Sequence, residues 1–543
     1  MLKKLAAFTI ASAIACVTAS HAFAYSAQLT PYKDVEEKDY ATEAIYSLSA
    51  LDIINGYPDM TFAPDGSLSR EAFIKLIVTA ARIDVKTALG DALHDVESDR
   101  WSAPYIKAAY EYNWIDFLVN QEDEFHPEQT MTREEVAALF GKLLLEEQPE
   151  AYREQWISAQ WKSEKTKTAF QDQTELRAGI EPYIYFCVKS GIMQGEPSGF
   201  SPKKPLTRKQ AATVLYRYID SVNLDRNLAI TGYYAINSYS ALSHMPLLSN
   251  AAFGWSHMEY DEESGTAALN TTSTEYKIPQ GFEEPLASAD KAGIAKSLMI
   301  YYGDANLKEF VEDKAAQEAF IDSLLATLED STYGFTGVNL DFEGLRDATS
   351  QTGYLSFIQD LKEQIGDMTL SVTVPPSNYY KGYDLEGIGE AADEVILMAY
   401  DFTHSDSKLP SAPLPLVNES VANALQFIPG EKLVLGISKQ ANQWVTLNGA
   451  TSLFNPRISD VEGRLAQPDI TETVVMPFFL QQISFQDERG SHDILYEDTE
   501  SIAKKLWLAK HYGLKGVSLW HMGNFTPEDW SRIAQEQNKK ATA

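Results

Sequence analysis

Residues 334–344 read Gly-Phe-Thr-Gly-Val-Asn-Leu-Asp-Phe-Glu-Gly. On an extended strand, successive side chains point to opposite faces. Val338, Leu340 and Phe342 then share an apolar face, and Gly337, Asn339, Asp341 and Glu343 share the other. A strand covered on both sides in an α/β protein should be apolar on both, and burying unpaired carboxylates is costly. An amide and two carboxylates at every second position therefore point to chemistry by Asp341 and Glu343 rather than to packing. The competing reading is an exposed antiparallel strand with a solvated acidic face. The flanking glycines and the apolar opposite face favour a covered sheet.

Such a strand needs neighbours. From Ala229 onward, short apolar runs alternate with amphipathic stretches, the pattern of a parallel α/β domain. Eight strands are expected, at 229–236, 251–256, 297–302, 335–342, 369–374, 395–400, 432–437 and 515–520. Helical stretches at Lys314–Leu328, Leu355–Ile365 and Asp498–His511 fill gaps between them. Eight βα units over residues 221–543 fit a (β/α)8 TIM barrel, whose active site lies at the C-terminal ends of the strands. Read there, the sixth strand ends in Met398-Ala399-Tyr400-Asp401 and the eighth in Leu519-Trp520. The fifth ends in Val374-Pro375-Pro376, and the first in Gly232-Tyr233-Tyr234. Aromatic rings gathered around two carboxylates at one end of a barrel describe a sugar site.

Upstream, one pattern occurs three times. It opens Tyr32-Lys-Asp34, Leu93-His-Asp95 and Phe170-Gln-Asp172, continues to Phe62-Ala-Pro64, Phe125-His-Pro127 and Phe200-Ser-Pro202, and then reaches Ser69-Arg70, Thr132-Arg133 and Thr207-Arg208. The Asp-to-Arg spacings are 36, 38 and 36, and the Phe-to-Arg spacing is 8 each time. Ser69, Thr132 and Thr207 are N-cap types opening helices. Runs such as Ala72-Phe-Ile-Lys-Leu-Ile supply an apolar stripe for stacking repeats together. The second copy has Leu118-Val-Asn where the others have Asn55-Gly56 and Gln194-Gly195, which marks it as the most divergent. The polar tract Glu146–Thr168 is extra to the repeat, an insertion or loosely packed helix. Only about ten residues lie between the last repeat and the first barrel strand, without Pro- or Gly/Ser-rich linker character, so the two halves should sit close together.

The 543 residues exceed one ordinary core. Residues 1–24 read as a secretory signal, with Lys3 and Lys4, an apolar run from Leu5 to Val17, and Ala22-Phe23-Ala24 as cleavage site. The run is short for a bilayer span. Cys16 offers the alternative of a poor lipobox. Cleavage would leave Cys187, set in Tyr-Ile-Tyr-Phe-Cys-Val, as the only cysteine, a small buried hydrophobe. That excludes a disulfide framework and a cysteine-rich metal site. A formal charge of −32 argues against nucleic acid or an anionic membrane as partner.

Thr336-Gly-Val-Asn339-Leu-Asp341-Phe-Glu343 resembles the Asp-Gly-x-Asp-x-Asp-x-Glu signature of family 18 glycoside hydrolases. Thr336 departs at its first position and Asn339 replaces its middle Asp, a variant associated with the spore-germination and cortex-lytic branch. Ile494-Leu-Tyr-Glu497-Asp-Thr-Glu-Ser-Ile-Ala is similar to the same branch. The resemblance implies a retaining, substrate-assisted reaction on β-1,4-linked N-acetylglucosamine glycans, which the handling of other glycosidases by two opposed carboxylates does not cover. Glu343 would be the acid/base, Asp341 would hold the acetamide N–H, and Tyr400 would bond its oxygen. Trp520 would floor the site, Asn339 would orient Asp341, and Asp401 and Tyr233 would support substrate. Glu497 either touches substrate or is structural. No metal or organic cofactor is implied. Many members carry an α+β insertion between the seventh and eighth strands; here the helix 498–511 leaves little room for one.

The repeats, over about 32–80, 93–144 and 169–219 within 25–220, resemble S-layer homology modules, which anchor exported proteins to secondary cell-wall polysaccharide. The expected architecture is thus a mainly α-helical three-module domain preceding an α/β barrel. By this resemblance Arg70, Arg133 and Arg208 are candidate ligands for an anionic sugar, whose carboxylate a guanidinium fits. Asp34, Asp95 and Asp172 stand beside them, with helix capping as the alternative. The implied partners are peptidoglycan or a chitin-like polymer as substrate and wall polysaccharide as anchor, with no nucleic acid and no membrane span. The implied place is the bacterial cell surface. Peptidoglycan is the first reading. Chitinase-type activity and a barrel that binds glycan without cleaving it are the alternatives.

Overall fold

In a computed structural model the described residues are 27–87, 93–235, 237–376, 380–403, 408–468 and 470–539. The leader expected at 1–24, with Cys16, lies outside them. The C-terminal half is built on β1 (Ala229–Tyr234), β2 (Asn250–Asp261), β4 (Ala295–Tyr302), β5 (Gly337–Phe342), β6 (Thr369–Val374), β7 (Glu394–Leu397), β8 (Leu433–Ser438) and β14 (Gly516–Trp520). Neighbours pair in parallel, and β1 pairs with both β2 and β14, which closes the barrel. All eight expected strands are present. The sixth stops at Leu397, so Met398–Asp401 lie just past its end. β3 (Thr266–Asn270) pairs antiparallel with the overhanging end of β2.

The outer helices begin where the sequence offers caps. Asp313 accepts from Ala316 N–H to open Lys314–Leu328, and Asp498 accepts from Ser501 N–H to open Thr499–Tyr512. The last of these ends at Gly513, in the left-handed region at φ +65°.

One expectation is corrected. The segment between the seventh and eighth barrel strands does hold an inserted α+β subdomain. Its strands are β9 (Ala441–Leu447), β10 (Ala450–Phe454), β11 (Glu472–Val475), β12 (Leu480–Asp487) and β13 (Gly490–Tyr496), with the helix Ile458–Leu465. They form a five-stranded sheet in the order β10-β9-β13-β12-β11. Short strands joined by tight turns need few residues. Leu447 pairs with Ala450 across Asn448-Gly449, both at positive φ, a two-residue hairpin turn.

The N-terminal half closes three modules into a ring. Single β-bridges join Ser69 to Thr130, Thr132 to Pro205 and Thr207 to Ser67. Each motif arginine crosses to the next module. Arg70 Nη1 donates to Phe125 O at 2.7 Å, Arg133 Nε to Phe200 O at 2.9 Å and Arg208 Nε to Phe62 O at 2.8 Å. Arg70 also pairs with Glu135 at 2.6 Å. Each Phe-x-Pro element turns through a left-handed middle residue, Ala63, His126 or Ser201.

The module aspartates hold those turns. Asp34 accepts from Phe62 and Ala63 N–H, Asp95 from Phe125 and His126, and Asp172 from Phe200 and Ser201. Helix capping is therefore corrected: these carboxylates bind a turn. The divergence of the second copy also has a cause. A Cβ on Gly56 or Gly195 would lie 2.3 Å from the Tyr32 ring or 2.4 Å from the Phe170 ring. With Leu93 in place of an aromatic ring, the second copy has no such ring to clear.

The tract after Glu146 is helical, and buried Trp156 ties it down by donating to Pro182 O at 2.9 Å. Cys187 is fully buried, with burial pushing its thiol up to about 12. The halves share an interface along Thr499–Tyr512. Lys504 Nζ reaches Glu43 at 2.7 Å and Tyr216 at 2.8 Å. Arg82 and Arg226 donate to the carbonyls of Tyr512 and Lys510 at the end of that helix, where cations suit the dipole.

Candidate active site

The polar face expected of residues 337–343 faces the barrel's interior and rim. β4 and β5 run in register, with Tyr301 opposite Asp341, and Glu343 N–H donates to Tyr302 O at 2.8 Å just past the last strand residue. Asn339 and Asp341 are buried, and Glu343 is half-buried at the rim. Tyr383 fixes the strand end by donating to Phe342 O at 2.6 Å.

Asp341 Oδ1 is buried and has no partner among the described residues. Burial, and then the charge of Glu343, raise its proton affinity well above the usual range. Burial and then Asp401 raise that of Glu343. Two carboxylates two residues apart on one strand cannot both ionise at ordinary cost, so the pair keeps a proton at higher pH than either would alone.

Asn339 does not orient Asp341, a correction to the sequence-based expectation. Its Oδ1 accepts from Tyr233 OH at 3.1 Å, and its Nδ2 donates to Ser371 Oγ at 2.9 Å and Thr373 Oγ1 at 3.3 Å. Asn339 thus fixes the Tyr233 ring. Tyr233 in turn meets Trp520 edge to face, with centroids 5.1 Å apart. Trp520 is half-buried at the end of β14.

Tyr400 sits against Gly436, where a Cβ would come within 3.1 Å of its ring. Burial and then Asp341 push its hydroxyl up, so it stays a donor. Asp401 is exposed, yet protein crowding raises its affinity for a proton while bonds to Gln440 and Ser411 lower it.

Glu497 does not reach the cleft. Its carboxylate is buried, paired with Lys505 at 2.5 Å and accepting from Ser501 Oγ at 2.6 Å. The structural alternative describes it. The structure adds Tyr301, stacked on Tyr276 with centroids 4.7 Å apart, their hydroxyls both raised first by burial and also by Asp341 and Glu343. Gln440 and Ser411 join them. Tyr301 is the next-to-last residue of the third barrel strand and Gln440 lies two residues past the seventh, close to the strand ends that carry the signal. Tyr276 and Ser411 come from loops, where periodicity says nothing.

A (β/α)8 barrel whose rim gathers Asp341, Glu343, Tyr400 and Trp520 defines the class. The family model for glycosyl hydrolases family 18 matches residues 229–524, more than half of the chain, and the S-layer homology domain matches 31–74, 93–137 and 177–212. The chain belongs to family 18 of the glycosyl hydrolases and carries three S-layer homology domains. It is 28% identical over 225 residues to the cortical fragment-lytic enzyme of Bacillus subtilis (strain 168), covering 38% of this chain and 51% of that one. To the cortical fragment-lytic enzyme of Bacillus anthracis it is 24% identical over 237 residues, covering 41% and 54%. The chain spans about half the length of these curated relatives. Among solved structures, the Bacillus cereus spore cortex-lytic enzyme SleL is 21% identical, with 59% and 76% covered and a TM-score of 0.49. A chitinase from Chromobacterium violaceum ATCC 12472 is 20% identical, with 58% and 100% covered and a TM-score of 0.49. Among the described residues no helix is long and apolar enough to cross a membrane.

Proposed function

We propose that this protein is an exported glycoside hydrolase, held at the cell wall by its three modules, that cleaves β-1,4-linked N-acetylglucosamine glycans of peptidoglycan with retention at C1. The observation that carries the reading is the pairing of an accessible Glu343 with a buried Asp341 that has an unpartnered oxygen. Glu343, protonated, gives its proton to the glycosidic oxygen as the C1–O bond breaks. The acetamide oxygen of the same sugar attacks C1 from the other face and forms an oxazolinium ion. Asp341 Oδ1 accepts the acetamide N–H and offsets the positive charge. Tyr400 donates to the acetamide oxygen, and Trp520, braced by Tyr233, supports the ring. Glu343 then takes a proton from water, which opens the oxazolinium at C1 and restores the β-configuration.

Similarity to proteins named cortical fragment-lytic enzymes favours peptidoglycan. The inserted five-stranded sheet favours a second reading, chitin oligomers, because such an insertion deepens a groove. Mass spectrometry of products from purified sacculi and from chitin oligomers separates the two. NMR within the first minutes should show the β-anomer first. An initial α-anomer, or brisk cleavage of fully deacetylated glycan, would sink the mechanism.

The modules give the wall attachment. Their motif arginines serve ring closure, and the anionic sugar is proposed to meet the clefts that these closures shape. Deleting residues 27–220 should abolish co-sedimentation with purified walls.

A further inference from the structure

The scheme above leaves the buried Ser411 unused. Asp401 follows β7 with φ +62°, a left-handed conformation that a non-glycine residue keeps where its surroundings fix it. Ser411 fixes it. Asp401 N–H donates to Ser411 Oγ at 3.0 Å, and Asp401 Oδ1 lies 3.4 Å from the same hydroxyl. Phe402 N–H donates to Ser411 O at 3.0 Å. The Ser411 hydroxyl also reaches Gln440 Oε1, 2.9 Å away and two residues past β8.

Ser411 is itself held from outside the barrel. Its N–H donates to Asn442 Oδ1 at 2.7 Å, and Asn442 Nδ2 donates to Asn455 Oδ1 at 3.1 Å. Asn442 lies on β9 and Asn455 follows β10, so both belong to the inserted subdomain. Ser411 and Asn442 are 4% and 2% exposed, which keeps water from replacing these bonds.

We infer that Ser411 is a positioning residue that clamps Asp401 beside Glu343, with the inserted subdomain as its support. The inference rests on Glu343 being the acid/base of the reading above. The ionisable groups facing Glu343 are Asp341 from its own strand, Asp401 after β7, Tyr301 from β4, Tyr276 from the loop after β3, Tyr383, and Tyr400. The tyrosines stay neutral, and Asp341 is fixed by the strand itself. Asp401 is the carboxylate whose distance from Glu343 depends on a hydrogen-bonded loop. An anion held close keeps the proton on Glu343; released toward the open cleft, it lets that proton go at lower pH.

The test is an infrared titration of the Glu343 carboxyl in the full chain without glycan, read as the difference from Glu343→Gln. Ser411→Ala should lower the midpoint by about half to one pH unit. Asp401→Asn should lower it at least as far, and Ser411→Ala should add nothing in the Asp401→Asn background. The alkaline limb of kcat/KM should move to lower pH in the same order. If Ser411→Ala does not fold, Asn442→Ala, one step farther out, should give a smaller shift of the same sign. An unchanged midpoint in a folded variant, or a shift that survives intact in Asp401→Asn, overturns the inference. A protein that titrates this way but cleaves no N-acetylglucosamine glycan overturns the functional reading and leaves the clamp standing.

Discussion

Both halves of the molecule bury charge, and they treat it in opposite ways. In the modules, Arg133 and Arg208 each spend their donors on two carbonyls of the next module, those of Phe200 and Gln194 and of Phe62 and Asn55. Arg70 divides its donors between Phe125 O and Glu135, with Nε unpartnered. In the barrel, Asp341 is as deeply buried and yet keeps Oδ1 free. Each of the module guanidinium groups makes at least two bonds within the chain, with Arg70 Nε left over. A buried carboxylate oxygen left without a partner is a cost that protonation or a bound group offsets. The contrast separates residues that hold the fold from residues that wait for substrate.

The sharpest way to break this contrast is Glu343→Gln. It should lower turnover by roughly 10²–10⁴-fold, the loss typical of a missing general acid/base, while wall co-sedimentation stays unchanged. Near-normal turnover by a folded variant would show that the site is misassigned.

Next comes Arg208. Its Ala variant leaves two carbonyls without donors and should cost about 2–4 kcal/mol, read as an earlier thermal transition of the module half. Arg208→Lys is the sharper test, because Lys keeps the charge without the fork. Ring closure predicts that Lys is nearly as damaging as Ala. Retention of full stability and wall binding by Lys would instead favour a charge-only role.

A smaller effect is expected at Asp341. Its proton affinity is raised in the folded chain, so its ionised form opposes folding. Stability is then fully present below the ordinary Asp range and is lost as pH rises through the raised folded value. Asp341→Asn should abolish most activity yet raise Tm at pH 8 by on the order of a few degrees, with the gain shrinking toward pH 4. A destabilised Asp341→Asn at pH 8 would mean that the carboxylate is structural after all.

The smallest effect concerns the seam between the third and first modules. Glu71 pairs with Arg100 at 2.7 Å, but at the corresponding positions Lys209 pairs with Asp39 at 3.2 Å, with the signs reversed. Lys209→Glu should lower Tm slightly, on the order of a degree, and Asp39→Arg in the same chain should restore it. No restoration would show that the reversed pair does not help closure.

Much of this was legible from residue order because it depends on period and spacing. Alternation placed Asn339, Asp341 and Glu343 on one face, and eight apolar runs at βα intervals gave the closed barrel. The repeat spacings gave three modules. Other signals stand in the sequence as well. Asn448-Gly449 between two β-rich runs marks the hairpin of the inserted sheet, and Tyr301 stands next to the end of the third barrel strand.

What tertiary structure alone decided is partnership. Asn339 and Asp341 are neighbours on one strand face, yet Asn339 bonds Tyr233, 106 residues away, because the closed barrel brings β1 and β5, which do not pair with each other, together across its interior. The arginines' targets lie in other modules, and Glu497 turns inward to Lys505. Residue order fixes which face a side chain takes, since that follows from backbone geometry one residue at a time. Which group satisfies it depends on how separate segments pack, and no local period encodes that.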